Sequence, residues 1–277
     1  MKKILLLIMA LSVFVSPVSA PAAGQVKVKH LGSLYADAEG VALQQPNGVA
    51  FRDNRLLVAD GGGRKVVSYT YQDGRIKPDN SYDLPGLFPL MAEPAPTGDI
   101  YVLDGRDRQI VLVGSTVDVK KPFDVTGIPG EGRTVVRSIK TGHDGTLLVL
   151  ALISERVLQF DGKGAYVREI PFPAGYRTIS DMAMDMQGNV YLLDSVQAIV
   201  YKAGTNGSEF KPLTPGMKES MNVPASLAVD RNGNLYLVDK YGSGLDVVSA
   251  DGRYAGRKLG MGWNDSFLNY PSQVSVS

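Results

Sequence analysis

Apolar positions along the chain gather into short, nearly continuous runs, and five of these runs match one another: RLLVAD (55–60), DIYVLD (99–104), TLLVLA (146–151), NVYLLD (189–194) and NLYLVD (234–239). Their last residues are 44, 47, 43 and 45 positions apart, and only the third, ending in Ala151, lacks the aspartate. An apolar run of this length, unbroken by polar alternation, predicts a strand covered on both faces. Around each run the pattern predicts three more strands; in the fourth unit the four fall at 178–184, 189–194, 198–202 and 208–213. Asp73-Gly74, Asp161-Gly162, Asn206-Gly207 and Asp251-Gly252 separate the third strand from the fourth, where a tight hairpin needs left-handed backbone. No segment has the length or 3.6-residue period of a substantial helix. A fixed period with four short strands per copy predicts a β-propeller, because no unit can bury both of its faces alone.

The ends extend the count. Residues 270–277 read as the first strand of a further unit that then stops, and residues 25–32 as an outer strand without predecessors. Joined, they predict one abbreviated blade closed by both termini beside five full four-stranded blades, six in all, with a plain five-bladed ring as the alternative. Such closure removes the open sheet edge that invites aggregation.

Met1-Lys2-Lys3, an apolar run over 4–15 and a small-residue box at Ala20-Pro21-Ala22 have the three-part form of a secretory signal peptide. The expected division is therefore a leader over 1–22 and one propeller domain over 23–277, periplasmic or secreted and monomeric. No later apolar stretch approaches the roughly 20 residues of a membrane span. Without Lys2 and Lys3 the chain has 27 basic and 28 acidic side chains, a balance that argues against a nucleic-acid surface. With no cysteine there is neither a disulfide framework nor a thiolate metal site.

In PNGVAF (46–51), VPASLAVD (223–230) and the GNLYLVD that follows at 233–239, the chain resembles the NHL-repeat family of propellers. The resemblance spans the mature chain and is weakest in the third unit. It implies a six-bladed ring of NHL, TolB-like type that serves as a platform for protein, nucleic acid or small ligands; some propellers of similar architecture are lyases or lactonases.

Several residues invite chemistry. Asp60, Asp104, Asp194 and Asp239 end their second strands and should form a ring on one face, either a cation site or, more plainly, caps on their own turns. The turn aspartates Asp185 and Asp230 share the plainer reading. Histidine-rich zinc chemistry is excluded, since only His30 and His143 exist and they sit in unrelated segments. A calcium-dependent lactonase, gluconolactonase-like, would want oxygen ligands, which Glu39, Glu93, Asn47, Asn222, Asp181 and Asp265 could supply.

Long connections at 84–89, 122–133, 171–176, 213–222 and 259–271 should collect on one face, where function is most readily grafted. They carry Phe88, Phe123, Arg133, Phe172, Tyr176, Arg177, Trp263, Phe267 and Tyr270. Arg133 and Arg177 occupy equivalent places in adjacent units and, with aromatic walls, suit an anionic or carbohydrate-like ligand or an acidic protein loop. The competing reading has the aromatics plugging the channel and the arginines pairing with the ring aspartates. No catalytic set is recognised and no cofactor is required. The sequence therefore predicts an exported binding or scaffolding module, with calcium and a lactonase- or lyase-like activity at the channel mouth as the alternative.

Overall fold

A computed structural model describes residues 26–96, 98–114, 120–125, 128, 134–264 and 267–276. Each of the five sequence units forms one four-stranded antiparallel sheet with its strands in chain order. The first blade is β1 (Pro46–Arg52), β2 (Arg55–Asp60), β3 (Lys65–Gln72) and β4 (Arg75–Asp83), and the second is β5 (Pro89–Pro94), β6 (Ile100–Asp104), β7 (Ile110–Val113) and β8 (Lys120–Pro122). The third is β9 (Val136–Thr141), β10 (Leu147–Ala151), β11 (Arg156–Phe160) and β12 (Tyr166–Pro171). The fourth is β13 (Ile179–Met184), β14 (Val190–Asp194), β15 (Ile199–Ala203) and β16 (Lys211–Pro212), and the fifth is β17 (Pro224–Val229), β18 (Leu235–Asp239), β19 (Gly244–Val248) and β20 (Tyr254–Leu259).

The apolar runs are the second strands, and alternation divides each between two neighbours. From β10, Leu147, Val149 and Ala151 pack toward the second blade while Leu148 and Leu150 pack toward the fourth. From β14, Val190 and Leu192 face the third blade and Tyr191 and Leu193 the fifth. Every residue of β6, β10 and β14 is buried. Removing one such leucine side chain from water stabilises by roughly 1.5–3 kcal/mol, and only an adjacent blade can supply that cover. Radial packing is thus a direct consequence of strands without a polar face.

The ring has five blades, not six. Among the described residues the termini add only isolated bridges, Ala36 with Ala42 and Met261 with Leu268. The segment after Pro271 does lie between β1 and β17, yet it reaches them through side chains. The Val49 amide donates to Gln273 Oε1 (2.6 Å) and the Phe51 amide to Ser275 Oγ (2.9 Å), while the Val274 amide donates to Ser226 Oγ (3.3 Å). Serine and glutamine oxygens compete with backbone carbonyls for amide donors, so a segment read as a strand here becomes a polar seam. Residues 34–43 cover the face of the first blade turned away from the second, with Leu34 and Leu43 on Val58, Val67 and Tyr69 and a buried Asp37–Lys65 ion pair beside them.

The hairpin device is less uniform than the dipeptides suggest. Asp73 (φ 52°) and Gly74 (φ 74°) are both left-handed, as expected. Elsewhere the positive φ falls on Gly252 alone, is absent from Asn206 and Gly207, or moves to Gly164, where Asp161 caps a wider turn through the amides of Lys163 and Ala165.

Innermost strands approach closely enough to exclude a side chain at Gly48, where a Cβ would strike the Leu90 carbonyl and come within 2.9 Å of Met91 Cα. Both obstacles are backbone. Gly48→Ala is expected to cost about 2 kcal/mol and to lower the thermal midpoint by roughly 4–8 °C, read by circular-dichroism melting.

Candidate functional site

In an antiparallel blade the first strand starts, and the second ends, at the same end of the ring. There each ring aspartate is a staple. Asp194 accepts from the amides of Arg177 (2.6 Å), Thr178 (3.3 Å), Val196 (3.0 Å) and Gln197 (2.9 Å). Asp60 takes the amides of Gln44, Gln45 and Gly63, and Asp104 those of Phe88 and Asp107. Asp239 takes those of Asn222, Val223 and Gly242, with the Arg257 guanidinium at 2.6 Å. Each carboxylate therefore ties the connection entering a blade to the β-turn leaving its second strand. For Asp194 and Asp239 burial opposes ionisation, but the converging amides outweigh it and hold both below the usual carboxylate range. Asp185 and Asp230 cap turns too, each accepting two amides, an asparagine Nδ2 and a tyrosine hydroxyl.

The loop residues at this end separate into small groups. Phe88 is half-buried, its ring filling the space above Gly61 and Gly105. Phe123 turns inward between Tyr101 (5.4 Å) and Phe160 (5.2 Å), and Phe172 packs edge-on to Tyr176 (5.3 Å) against the core. Burial and the neighbouring Glu155 push the Tyr176 phenol up. The Arg177 side chain is exposed; its main chain, not its guanidinium, meets Asp194. Arg133 and Asp265 lie outside the described residues. None of the cavities described below is lined by these side chains.

Around the fifth blade, in contrast, large apolar side chains stand in water together. Trp263 is 88% exposed, and Met261, Phe267, Tyr270 and Tyr241 are each more than half exposed. The segment is pinned: Gly262 N bonds Leu268 O (3.1 Å), Phe267 lies over Gly262, Tyr270 N bonds Ser243 Oγ (3.1 Å), and Tyr270 meets Tyr241 edge-on at 6.3 Å.

The opposite end of the channel carries a cluster of charges. Glu93 on β5 accepts from Thr141 Oγ1 (3.2 Å) and lies 3.4 Å from Lys140 Nζ on β9; Arg52 at the end of β1 donates to the Thr141 carbonyl and, at 2.6 Å, to its hydroxyl. Burial pushes Glu93 above its ordinary value against the pull of Lys140 and Arg52. Burial works the other way on Lys140, yet Glu93 and Asp181 overcome it and raise the ammonium. Midway along the channel Asp181 bridges Ser138 and Ser226, each at 2.8 Å, and takes the Leu227 amide. The signal for this cluster was available: the inner strands PLMAEP, VRSIKT and ISDMAM carry Glu93, Lys140 and Asp181 among buried apolar neighbours.

Of the oxygen donors considered for calcium, Asn47 bonds the Pro89 carbonyl near the start of the inner strands, while Asp181 and Glu93 lie deeper on separate hydrogen-bond partners. Among the described residues no three acidic or histidine side chains cluster as a metal site. No helix among them is long and apolar enough to cross a membrane.

This architecture defines the chain as an all-β propeller. No family model matches it, and no curated protein sequence does. Among solved structures it is similar to the nidogen/laminin complex (13% identity, TM-score 0.63, covering 85% of this chain and 88% of that one). It is also similar to a gluconolactonase from Xanthomonas campestris (15%, 0.62, 88% and 80%) and to virginiamycin B lyase from Staphylococcus aureus (14%, 0.57, 76% and 69%). At such identities the likeness is one of fold, and it embraces enzymes and binding proteins alike.

Proposed function

We propose that the chain is an exported NHL-type propeller that binds a protein partner through the aromatic ridge of Met261, Trp263, Phe267, Tyr270 and Tyr241. The observation that carries this reading is the 88% exposure of Trp263 between Gly262, whose amide is bonded to Leu268 O, and Asn264, whose carbonyl accepts from Phe267 N. A large aromatic held in water gains nothing for the fold, whereas rigid aromatic anchors lose little entropy on docking and dominate interface energies. Tyr176 and Arg177 extend the same end of the ring toward an acidic or carbohydrate-bearing ligand. A propeller seated in the nidogen/laminin complex supports a platform role for this architecture.

The test compares the mature chain with Trp263→Ala/Tyr270→Ala as baits in a periplasmic extract of the native host. A partner retained by the parent should bind the variant at least thirtyfold more weakly, about 2 kcal/mol, with an unchanged melting curve. Equal capture by both baits would move the interface off this ridge. Stoichiometric calcium binding that raises the melting temperature would instead favour the lactonase-like alternative.

A further inference from the structure

The channel end opposite the aromatic ridge contains two cavities, of 70 and 410 Å³, that share Arg52, Pro94 and His143 as walls. One side of the smaller cavity is charged, with Arg52, Lys140 and Glu93, and the other is aliphatic, with Met184, Val229 and Val276. We propose that this mouth binds a small organic carboxylate, its head group between Arg52 and Lys140 and its aliphatic portion against Met184 and Val229.

The donor balance carries the proposal. An ammonium has three donors, and Lys140, with a side chain only 12% exposed, spends them among the described residues on a single acceptor, Glu93 Oε1 at 3.4 Å. Arg52 commits Nη2 to Thr141, which leaves Nη1 and Nε, among the described residues, without an acceptor. His143 stands exposed at the rim. The facing acids are already engaged. Glu93 divides its oxygens between Lys140 and Thr141, and Asp144 is turned onto the amide and hydroxyl of Thr146. Asp181, whose charge reaches Lys140, already accepts from Ser138, Ser226 and the Leu227 amide. Asp53 sits in the β1–β2 turn at the edge of the larger cavity. A ligand that brings one carboxylate would complete the donor sets of two cations, which an amine or a neutral polar group would not. The aliphatic wall selects a short hydrocarbon tail over an inorganic anion.

The experiment titrates the mature protein with butyrate, butyramide and inorganic phosphate, following heat and the NMR signals of the Met184 methyl and His143 ring. Butyrate is expected to bind saturably, one per chain, moving both signals, and butyramide to bind at least ~tenfold more weakly because it lacks the charge. Arg52→Met should weaken butyrate by ~tenfold or more and His143→Ala by roughly threefold. His143 has no hydrogen bond among the described residues, so its variant preserves the fold if Arg52→Met does not. Butyramide binding as tightly as butyrate, tighter binding of phosphate, absence of any saturable shift, or wild-type affinity in a folded His143→Ala would each overturn the assignment.

Discussion

Replacing Asp194 with alanine is expected to destabilise the protein by about 3–4 kcal/mol, near the upper end for a single substitution. Asp194 is fully buried, and its removal leaves the amides of Arg177, Thr178, Val196 and Gln197 without the acceptor they share. The cost of each orphaned donor, about 1 kcal/mol or more, is what accumulates. A solvated surface aspartate would have almost no such effect. The sign of the pH dependence follows from the same amides. Because the folded-state pKa lies below the ordinary 3.8, the stabilisation is complete above that value and disappears as pH falls through the lower, folded one. The variant and its parent should therefore converge in strong acid and differ fully at neutral pH, as urea titrations across that range would show. Convergence at neutral pH would mean that the backbone bonds alone hold the blade entrance.

The third blade supplies an internal comparison. Where Ala151 replaces the aspartate, the Leu152 amide still bonds the Val135 carbonyl at 3.0 Å, the same backbone link that joins Ser195 to Thr178 and Lys240 to Val223. The carboxylate is thus a reinforcement added to a link that every blade possesses.

Lys140→Met should cost about 3 kcal/mol or more, since it removes the ion-pair partner of a carboxylate buried in the channel. The hydrophobic stem is preserved, so packing changes little and the charge accounts for the effect. Adding Glu93→Gln to the same chain should restore most of the loss, because an amide keeps the Thr141 contact and needs no counter-charge. The pH dependence of this penalty has the same sign as that of Asp194→Ala but a different cause. A carboxyl raised in the folded state favours the protonated form, so the penalty in Lys140→Met shrinks as pH falls through the folded value and is largest above it. Urea midpoints at about pH 5 and about pH 8 would display this trend. A double variant no more stable than Lys140→Met alone would show that the ammonium acts through packing.

The architecture was legible because it is written in strand period. Second strands such as LLVLA and VYLLD have no polar face to give to water, and their spacing leaves only a radial arrangement. The blade count was not, because residues 271–276 satisfy strand composition while Gln273 and Ser275 use side-chain oxygens where a ladder would use carbonyls. That choice depends on the distance between β1 and β17, which no local pattern encodes. The candidate sites divide similarly. The sequence left open whether the loop aromatics stand in solvent or fill the interior: Trp263 and Tyr270 are exposed, whereas Phe123 turns inward between Tyr101 of its own blade and Phe160 of the next, and Phe172 packs on Tyr176 of its own connection. The channel charges went largely unread because Arg52, Glu93 and Lys140 come from three different blades, and their meeting is a property of ring closure.

The polar seam has a temporal consequence. Val49 and Phe51 meet partners 224 residues further along the chain, so the first inner strand emerges long before the atoms that satisfy its amides exist. At ordinary rates of synthesis the wait is roughly 10–45 s, during which the edge of β1 resembles the sticky border of an unfinished sheet. The folding chain gains a cover for that border only when its last segment arrives.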